Sequence, residues 1–252
     1  MSPFYLDHVV VGVRDLDAAT ADWRALGLVA TDGGRHPEGG TRNAIVRFPD
    51  RSFLELMAVT DPQIVARRSP SFLALLEQHP DGPISWALRV DDVEAARTGI
   101  VARGFRVGPL RGGVGERDSG KVARWRTFHI DEPAFPFVLE YDAPPTAEPF
   151  TAGLPLHGIA ATIVQAPSGR ALANRLAHAF GADVADGRVI FAGGEAVVVD
   201  EAREHPGVVG VELLVNDERA AQDYLRKRDV PASDGWLSDV RLHGLRVRLI
   251  VE

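Results

Sequence analysis

A strand, turn and helix pattern that recurs along the chain constrains the fold more than any other feature of the sequence. The segment Val11–Leu28 (VGVRDLDAATADWRALGL) matches Leu88–Phe105 (LRVDDVEAARTGIVARGF) and Leu213–Val230 (LLVNDERAAQDYLRKRDV). Each copy is typical of a short apolar strand, a turn that carries aspartate, and an amphipathic helix. Repetition at this scale predicts a fold assembled from copies of one small unit.

An aspartate precedes each of these helices. Asp15, Asp92 and Asp217 stand one or two residues before the helical pattern begins. A carboxylate in that place accepts hydrogen bonds from the free N–H groups of the first helical turn. We therefore interpret the three aspartates as helix caps and not as catalysts.

Short strand-like runs after the first two helices complete a βαβββ unit. The first unit covers about Leu6–Val59 and the second Ile84–Asp142, joined by a helical linker around Ile64–Gln78. A Pro- and Ala-rich linker at 143–155 predicts a boundary, and 156–252 is typical of two shorter units. The predicted fold class is α+β, with four βαβββ units that form curved mixed sheets; residues 1–142 form the first domain.

Composition excludes several function classes. The net charge is -7 and no Lys/Arg cluster is free of acidic residues, so nucleic acid is not an expected partner. Cysteine is absent, so any metal must be held by His, Asp or Glu. No stretch approaches the ~20 apolar residues of a membrane span, and we expect a cytoplasmic protein. Motifs of serine hydrolases, P-loops, dinucleotide sites and HExxH metalloproteases are missing.

Three polar residues stand in apolar strand segments. His8 directly precedes the run Val9–Val13, Glu55 lies within FLELM, and Glu140 lies within FVLEYD. A carboxylate among apolar strand residues needs water, a partner charge or a metal to avoid a large desolvation cost. An outward face on an exposed sheet would also satisfy each acid, and a histidine at a strand start is more often hydrogen-bonded than a ligand.

The paired units, together with LDHVVVGVRDLDAA, GGRHPEGGTRNAIV and FLELMAV, resemble the glyoxalase-like branch of the vicinal oxygen chelate (VOC) superfamily. The resemblance covers Leu6–Asp142 well and 156–252 by pattern alone. It implies the glyoxalase/bleomycin-resistance/dihydroxybiphenyl dioxygenase fold. In that fold two units pair into an eight-stranded cup, and the first and fourth strands of each unit hold a divalent metal.

Carried over to this sequence, the resemblance implies His8 and Glu55 as metal ligands in the first unit. In the second unit it places Ser85 opposite His8 and Glu140 opposite Glu55. Ser85 departs from the usual ligand types, and His129 is a candidate replacement. The His, Glu, Glu set suits Zn, Mn, Fe or Ni.

A shared site also sets the direction of each strand residue. His8, Glu55 and Glu140 must all lie on the concave face of the sheet. Leu139 and Tyr141 are then expected to face the helices.

Two further clusters are candidates for substrate binding. The Gly-rich stretch GGRHPEGGTRNA supplies His36 and Asn43, which we expect at the rim of the cup. In ARWRTFH, Arg124 and Arg126 alternate with Trp125, Thr127 and His129, and only one set can point inward. The arginines would offer a fork for a carboxylate substrate, and otherwise His129 would line the cup. The sequence leaves these two arrangements open.

The later pair of units looks degenerate. His157 opens the third unit, but its fourth strand, EAVVVD, has no central acid. Gly210 and Arg248 stand in the fourth unit where His and Glu would be. We therefore expect a structural or lid-like role for 156–252.

The leading interpretation is an enzyme, a metal-dependent lyase or isomerase that acts on a small oxygenated metabolite. The metal would hold two substrate oxygens and stabilise an enolate, while Glu55 or Glu140 moves a proton. One alternative is a metal-free protein that binds an aromatic or antibiotic-like ligand. Another is a ring-cleaving dioxygenase, with His36 or His129 as the second histidine on iron. The expected partner is a small-molecule substrate, with a homodimer as an option, and neither nucleic acid nor a membrane.

Overall fold

Four βαβββ units follow one another along the chain, as the repeats predict. The computed structural model describes residues 3–68, 73–74, 81–143, 153–200 and 206–251. Helix α2 (Pro62–Arg68) begins the connection between the first two units. Most of the predicted helical linker beyond it, and most of the linker at 143–155, lie outside the described residues.

Each unit has one helix between its first and second strands. The first unit comprises β1 (Tyr5–Gly12), α1 (Leu16–Leu26), β2 (Thr31–His36), β3 (Thr41–Arg47) and β4 (Phe53–Val59). The second comprises β5 (Gly82–Arg89), α3 (Val93–Ala102), β6 (Arg111–Glu116), β7 (Val122–Phe128) and β8 (Phe137–Tyr141).

The third and fourth units repeat this order with shorter second and third strands. The third comprises β9 (Leu156–Ala166), α4 (Gly169–Phe180), β10 (Asp183–Ala185), β11 (Arg188–Ile190) and β12 (Glu195–Asp200). The fourth comprises β13 (Gly207–Val215), α5 (Glu218–Arg226), β14 (Ala232–Ser233), β15 (Trp236–Leu237), a short 3-10 helix (Val240–Leu242) and β16 (Arg246–Val251).

The first two units share one curved sheet that closes into an eight-stranded barrel. Its strand order is β1-β4-β3-β2-β6-β7-β8-β5. Within each unit the first strand runs parallel to the fourth, and β1 meets β5 antiparallel with Val9 opposite Trp86. On the other side β2 meets β6 through Arg35 and Glu116. The prediction of one continuous curved sheet for these units is confirmed.

The last two units form a second eight-stranded sheet with the corresponding order, β10-β11-β12-β9-β13-β16-β15-β14. Its end strands, β10 and β14, do not pair with each other in the part of the chain that the structure describes. The second sheet is therefore an open counterpart of the barrel.

The aspartates that precede the helices cap them, as predicted. The carboxylate of Asp15 accepts from two N–H groups of α1, Asp92 does the same for α3, and Asp217 accepts from Ala220 N in α5. These caps fix where each helix starts relative to its preceding strand. None of the helices in the described ranges is long and apolar enough to cross a membrane.

Helix α1 covers the outer face of the barrel with an apolar stripe. Trp23 and Leu26 have no exposed surface and belong to one core cluster with Val9 and Val11 of β1. Burial of side chains of this size contributes about 1.5–3 kcal/mol each. Val10 is also buried but lies outside that cluster, which places it on the inner face of the barrel.

The two halves of the molecule share this core. Phe180 of α4 packs against Phe4, with ring centroids 5.0 Å apart, and against Phe191, which also approaches Trp86 of β5. The N–H of Leu6 donates to the carbonyl of a third-unit glycine at 2.6 Å. The second sheet is therefore packed firmly onto the barrel.

Candidate functional site

A β-bulge in β1 places two consecutive polar side chains inside the barrel. Leu6 pairs with Leu88 and His8 pairs with Ala87, so Asp7 has no partner of its own in β5. A bulge of this kind turns neighbouring residues toward the same face of the sheet. Asp7 has no exposed surface and His8 is 4% exposed.

The buried carboxylate of Asp7 is held by three donors. The hydroxyl of Tyr141 and Nδ1 of His8 each lie 2.8 Å from its Oδ2, and the guanidinium of Arg89 lies 3.5 Å from its Oδ1. Burial, and then the negative charge of Asp7, raise the pKa of Tyr141 well above the ordinary value, so the phenol stays protonated and donates. These contacts offset the cost of burying the Asp7 charge.

His8 links this carboxylate to a second one. Its Nε2 lies 3.4 Å from Oε2 of Glu55, which is 4% exposed. The amide of Asn43 donates to the other Glu55 oxygen at 2.6 Å, and the His8 ring stacks on Phe53 with centroids 4.3 Å apart. Because Nδ1 is bound to Asp7, the imidazole is fixed with Nε2 toward Glu55.

The sequence analysis did not identify Asp7 or Tyr141 as functional. Asp7 directly precedes His8, and two polar residues in succession at a strand start were the available sign of a bulge. Tyr141 was expected to face the helices together with Leu139. The side chains of Leu139 and Tyr141 instead lie on the inner face of the barrel. They pair with Thr127 and Trp125 of β7, which face the same way.

The helix caps identify which positions of the second unit correspond to His8 and Glu55. Val10, five residues before Asp15, lies opposite Glu55. Ala87, five residues before Asp92, lies opposite Phe137. Phe137 therefore takes the place of Glu55 in the second unit, and its ring meets His8 edge-on with centroids 5.3 Å apart.

Glu140 does not join the site, which corrects the implied ligand set. It lies three residues after Phe137, an odd number, and so faces the outside of the barrel. Its carboxylate accepts from the N–H of Val93, the first residue of α3, at 3.0 Å, and from Arg126 at 2.9 Å. Glu140 thus stabilises the start of a helix.

The strand β7 turns its arginines outward. Arg126 binds Glu94 of α3 at 2.7 Å as well as Glu140, and Arg124 shares this face by alternation. Phe128 is fully buried in the outer core, which fixes the direction of the strand. Of the two arrangements that the sequence left open, the arginine fork is therefore not formed inside the barrel.

Strand β7 turns Trp125 and Thr127 inward. Trp125 meets His36 edge-on with centroids 5.5 Å apart, and the ring lies so close to Gly113 that a Cβ there would come within 2.3 Å of it. His129 follows the end of β7 and is exposed, with its ring 5.4 Å from Phe137. Trp125 thus extends the lining that begins at His8.

Two further histidines, His36 and His129, have lowered pKa values, which favours their neutral forms. Burial lowers the pKa of His36, whose Nδ1 lies 2.9 Å from the hydroxyl of Thr41. Burial, and then the charge of Arg111, lower the pKa of His129. Each ring can therefore offer one donor and one acceptor to a bound molecule.

The barrel interior offers few ligands for a metal ion. His8 and Glu55 present one nitrogen and one carboxylate to a common point, while the corresponding positions of the second unit carry Ser85 and Phe137. Within the described ranges, no group of three or more His, Asp or Glu side chains could hold a metal ion.

Comparison with known proteins places this geometry in context. A family model described as a glyoxalase-like domain matches residues 6–180. No curated protein matches. A hypothetical protein from Staphylococcus aureus superposes with a TM-score of 0.77 at 13% identity, over 99% of this chain and 100% of the other.

Two solved enzymes have the same fold. The Mn(II)-bound glyoxalase from Novosphingobium aromaticivorans gives a TM-score of 0.65 at 13% identity, over 100% of this chain and 83% of the other. A mutant 4-hydroxymandelate synthase from Streptomyces coelicolor gives 0.62 at 17% identity, over 100% and 93%. At these identities the likeness shows the fold alone.

Proposed function

Because the chain belongs to the glyoxalase-like domain family, we propose that it is a lyase or isomerase that acts on a small oxygenated metabolite. The observation that carries the proposal is the buried approach of His8 Nε2 to Glu55 Oε2, 3.4 Å apart inside the barrel. An acid and a base at this separation can move a proton from a carbon to the oxygen of the adjacent carbonyl, through an enolate.

Each member of the cluster has a role in this transfer. Glu55 takes the proton from the carbon through Oε2, because its Oε1 is occupied by Asn43. His8 donates from Nε2 to the carbonyl oxygen, and Asp7 holds the ring through Nδ1. The guanidinium of Arg89, 3.5 Å from Asp7, adds a positive charge beside the two carboxylates.

The barrel lining favours a compact substrate with oxygen atoms and an apolar or planar body. Trp125 and Phe137 supply ring faces and edges on the inner surface. The lowered pKa values of His36 and His129 favour neutral rings, which would hydrogen-bond substrate oxygens without adding charge. Asn43, which was expected at the rim, supports Glu55 in this scheme.

The donors in the barrel do not fit a resident divalent ion. A catalytic zinc ion, for example, takes three protein ligands, and His8 with Glu55 supplies two. Phe137 fills the corresponding place in the second unit with a ring that cannot coordinate. The Mn(II) named for the Novosphingobium glyoxalase therefore has no matching ligand set here, and the proposed transfer uses side chains alone.

The test is exchange of a carbon-bound proton with solvent. The protein is incubated in deuterium oxide with a panel of small alpha-keto acids, aldehydes and hydroxyketones, and proton NMR follows the signal next to the carbonyl. We expect exchange of at least one compound, slowed about a hundredfold or more by Glu55→Gln because the base is lost.

Glu140→Gln is the matched control, since it removes an acid of the same type from the outer face. It should exchange at the rate of the unmodified protein. Equal rates for Glu55→Gln and the unmodified protein would contradict the proposal. Added Mn(II) or Zn(II) should leave the rate unchanged, and a rate that depends on either ion would overturn the metal-free scheme.

The same residues bear on two alternative functions. A ring-cleaving dioxygenase needs two histidines and a carboxylate around iron, and Ser85 and Phe137 do not supply the second half of that set. A binding protein without catalysis is supported by the aromatic lining around Phe137 and Trp125. It becomes the better explanation if compounds bind in the barrel and no proton exchanges.

A further inference from the structure

The open sheet of the third and fourth units has a charged inner face that corresponds to the inside of the barrel. Glu212, five residues before the cap Asp217, lies opposite Arg248. Val10 lies opposite Glu55 in the same way in the first unit. An arginine thus stands where the barrel has its buried acid, and the charge at this place in the fold is reversed.

The Nε–H of Arg248 is a hydrogen-bond donor without an acceptor among the described residues. Its Nη1 lies 3.4 Å from Glu212 Oε1, while its Nε is buried and has no partner among the described residues. The guanidinium lies 5.7 Å from the ring centroid of Trp236, which limits its orientation. A buried N–H without an acceptor is costly, so the arrangement lacks one acceptor group.

Glu212 does not supply the missing acceptor. It is 3% exposed, and its Oε2 accepts from Arg188 at 2.8 Å. Arg188 also binds Glu195 at 2.6 Å, so its guanidinium is paired with two carboxylates. One buried acid is shared by two arginines, and Arg248 has the weaker contact of the two.

The surroundings of Arg248 suit an organic anion. Ile163 of β9 lies opposite Val197 of β12, and Val197 also lies opposite Arg188 of β11. Ile163 and Val197 therefore form an apolar floor next to the charged groups. The side chain of Arg248 is 40% exposed, which leaves part of the guanidinium open to solvent. A planar carboxylate matches the fork of a guanidinium.

We propose that this surface, formed by Arg188, Glu212, Trp236 and Arg248 and called the arginine face, binds a small organic carboxylate. The carboxylate pairs with the solvent-exposed part of the Arg248 guanidinium. The apolar part of the ligand lies against Trp236 and the apolar floor. The site lies in the half of the molecule without the His8 and Glu55 pair and does not depend on the reaction proposed for the barrel.

The test uses the full chain labelled with ¹⁵N-arginine and follows the Nε–H signals by NMR. Sodium benzoate is the probe, and sodium phosphate is titrated in parallel. The Arg248 signal is assigned by its absence in Arg248→Lys. We expect saturable shifts of this signal and of the neighbouring Arg188 signal with benzoate. In Arg248→Lys the Arg188 signal should report binding weakened about tenfold, because lysine cannot form the fork.

Arg106→Lys is the matched control, since Arg106 is exposed and pairs with Asp131 on the barrel half. It should bind benzoate like the unmodified protein. Trp236→Leu is the second variant. It should also weaken benzoate binding, and its amide NMR spectrum should remain that of a folded protein. Three results would overturn the proposal: no saturable shift with benzoate, a response to phosphate alone, or undiminished binding in both Arg248→Lys and Trp236→Leu.

Discussion

Loss of one hydroxyl from the barrel interior tests how the Asp7 charge is held. Tyr141→Phe keeps the ring and deletes the O–H that donates to Asp7 at 2.8 Å. A hydrogen bond to a charged group contributes about 1.5–3 kcal/mol. Asp7 has no exposed surface through which water could replace the donor. We therefore expect the free energy of unfolding to fall by about 1.5–3 kcal/mol.

Urea unfolding measures this change, and Tyr5→Phe is the control. Tyr5 is 37% exposed, and a substitution at such a site usually changes stability by less than about 0.5 kcal/mol. The slope of free energy against urea should stay the same in both variants, because neither changes the surface exposed on unfolding. Equal midpoints for the two variants would refute the role given to Tyr141.

The hydroxyl of Tyr141 also makes the stability of the fold depend on pH. The pKa of Tyr141 is raised in the folded state by burial and by Asp7, whereas in the unfolded chain the phenol loses its proton near pH ~10. Its contribution to stability is therefore present below pH ~10 and is lost as the pH rises further. In an alkaline titration of phenolate absorbance, one of the three tyrosines should ionise only on unfolding. That late step should be missing in Tyr141→Phe.

Three other predictions address the register, the packing and the linker. Ser85→His combined with Phe137→Glu completes the second unit's ligand positions and should bind about one Zn(II) per chain by elemental analysis; no metal in the double variant would contradict the register. Gly113→Val should cost about 1–3 kcal/mol in urea unfolding because its side chain would collide with an indole ring. Gly112→Val, which has no neighbour within 4 Å, should cost less, and equal costs would refute that packing. Limited proteolysis should cut first within 143–155, with both fragments eluting together on gel filtration; a first cut elsewhere counts against this boundary.

The overall fold was predictable from the sequence because helix caps leave a local signature. Asp15, Asp92 and Asp217 fix where each helix begins, and the apolar run before each cap is the first strand of its unit. The same spacing correctly aligns Ser85 with His8. Features tied closely in sequence to a cap could therefore be placed in advance.

The fourth strand of each unit has no such marker. Glu140 was matched to Glu55 because both are acids in apolar segments, but the ladder with β5 aligns Phe137 with Glu55. An odd offset moves a side chain to the other face of a sheet, so this one mismatch moved an outer residue into the expected site. Register between distant strands depends on pairing that the local sequence does not encode.

Two other features depended on tertiary structure. The bulge at Asp7 follows from the pairing of β1 with β5, which are far apart in sequence. The direction of Arg126 follows from Glu94 and Glu140, which lie on a helix and a neighbouring strand. In both cases the deciding partner is separated from the residue by a long stretch of chain.

The pairing of the N-terminal strand also affects synthesis of the chain on the ribosome. Of the described strands β1 is made first, yet the N–H of Leu6 donates to Gly193 and the carbonyl of Phe4 accepts from Ala192. Until the third unit has emerged, the start of β1 leaves backbone groups open at the rim of the barrel and the Phe4 ring uncovered. Chains released before that point would expose this rim to other chains, so early termination should yield aggregates and not a working half.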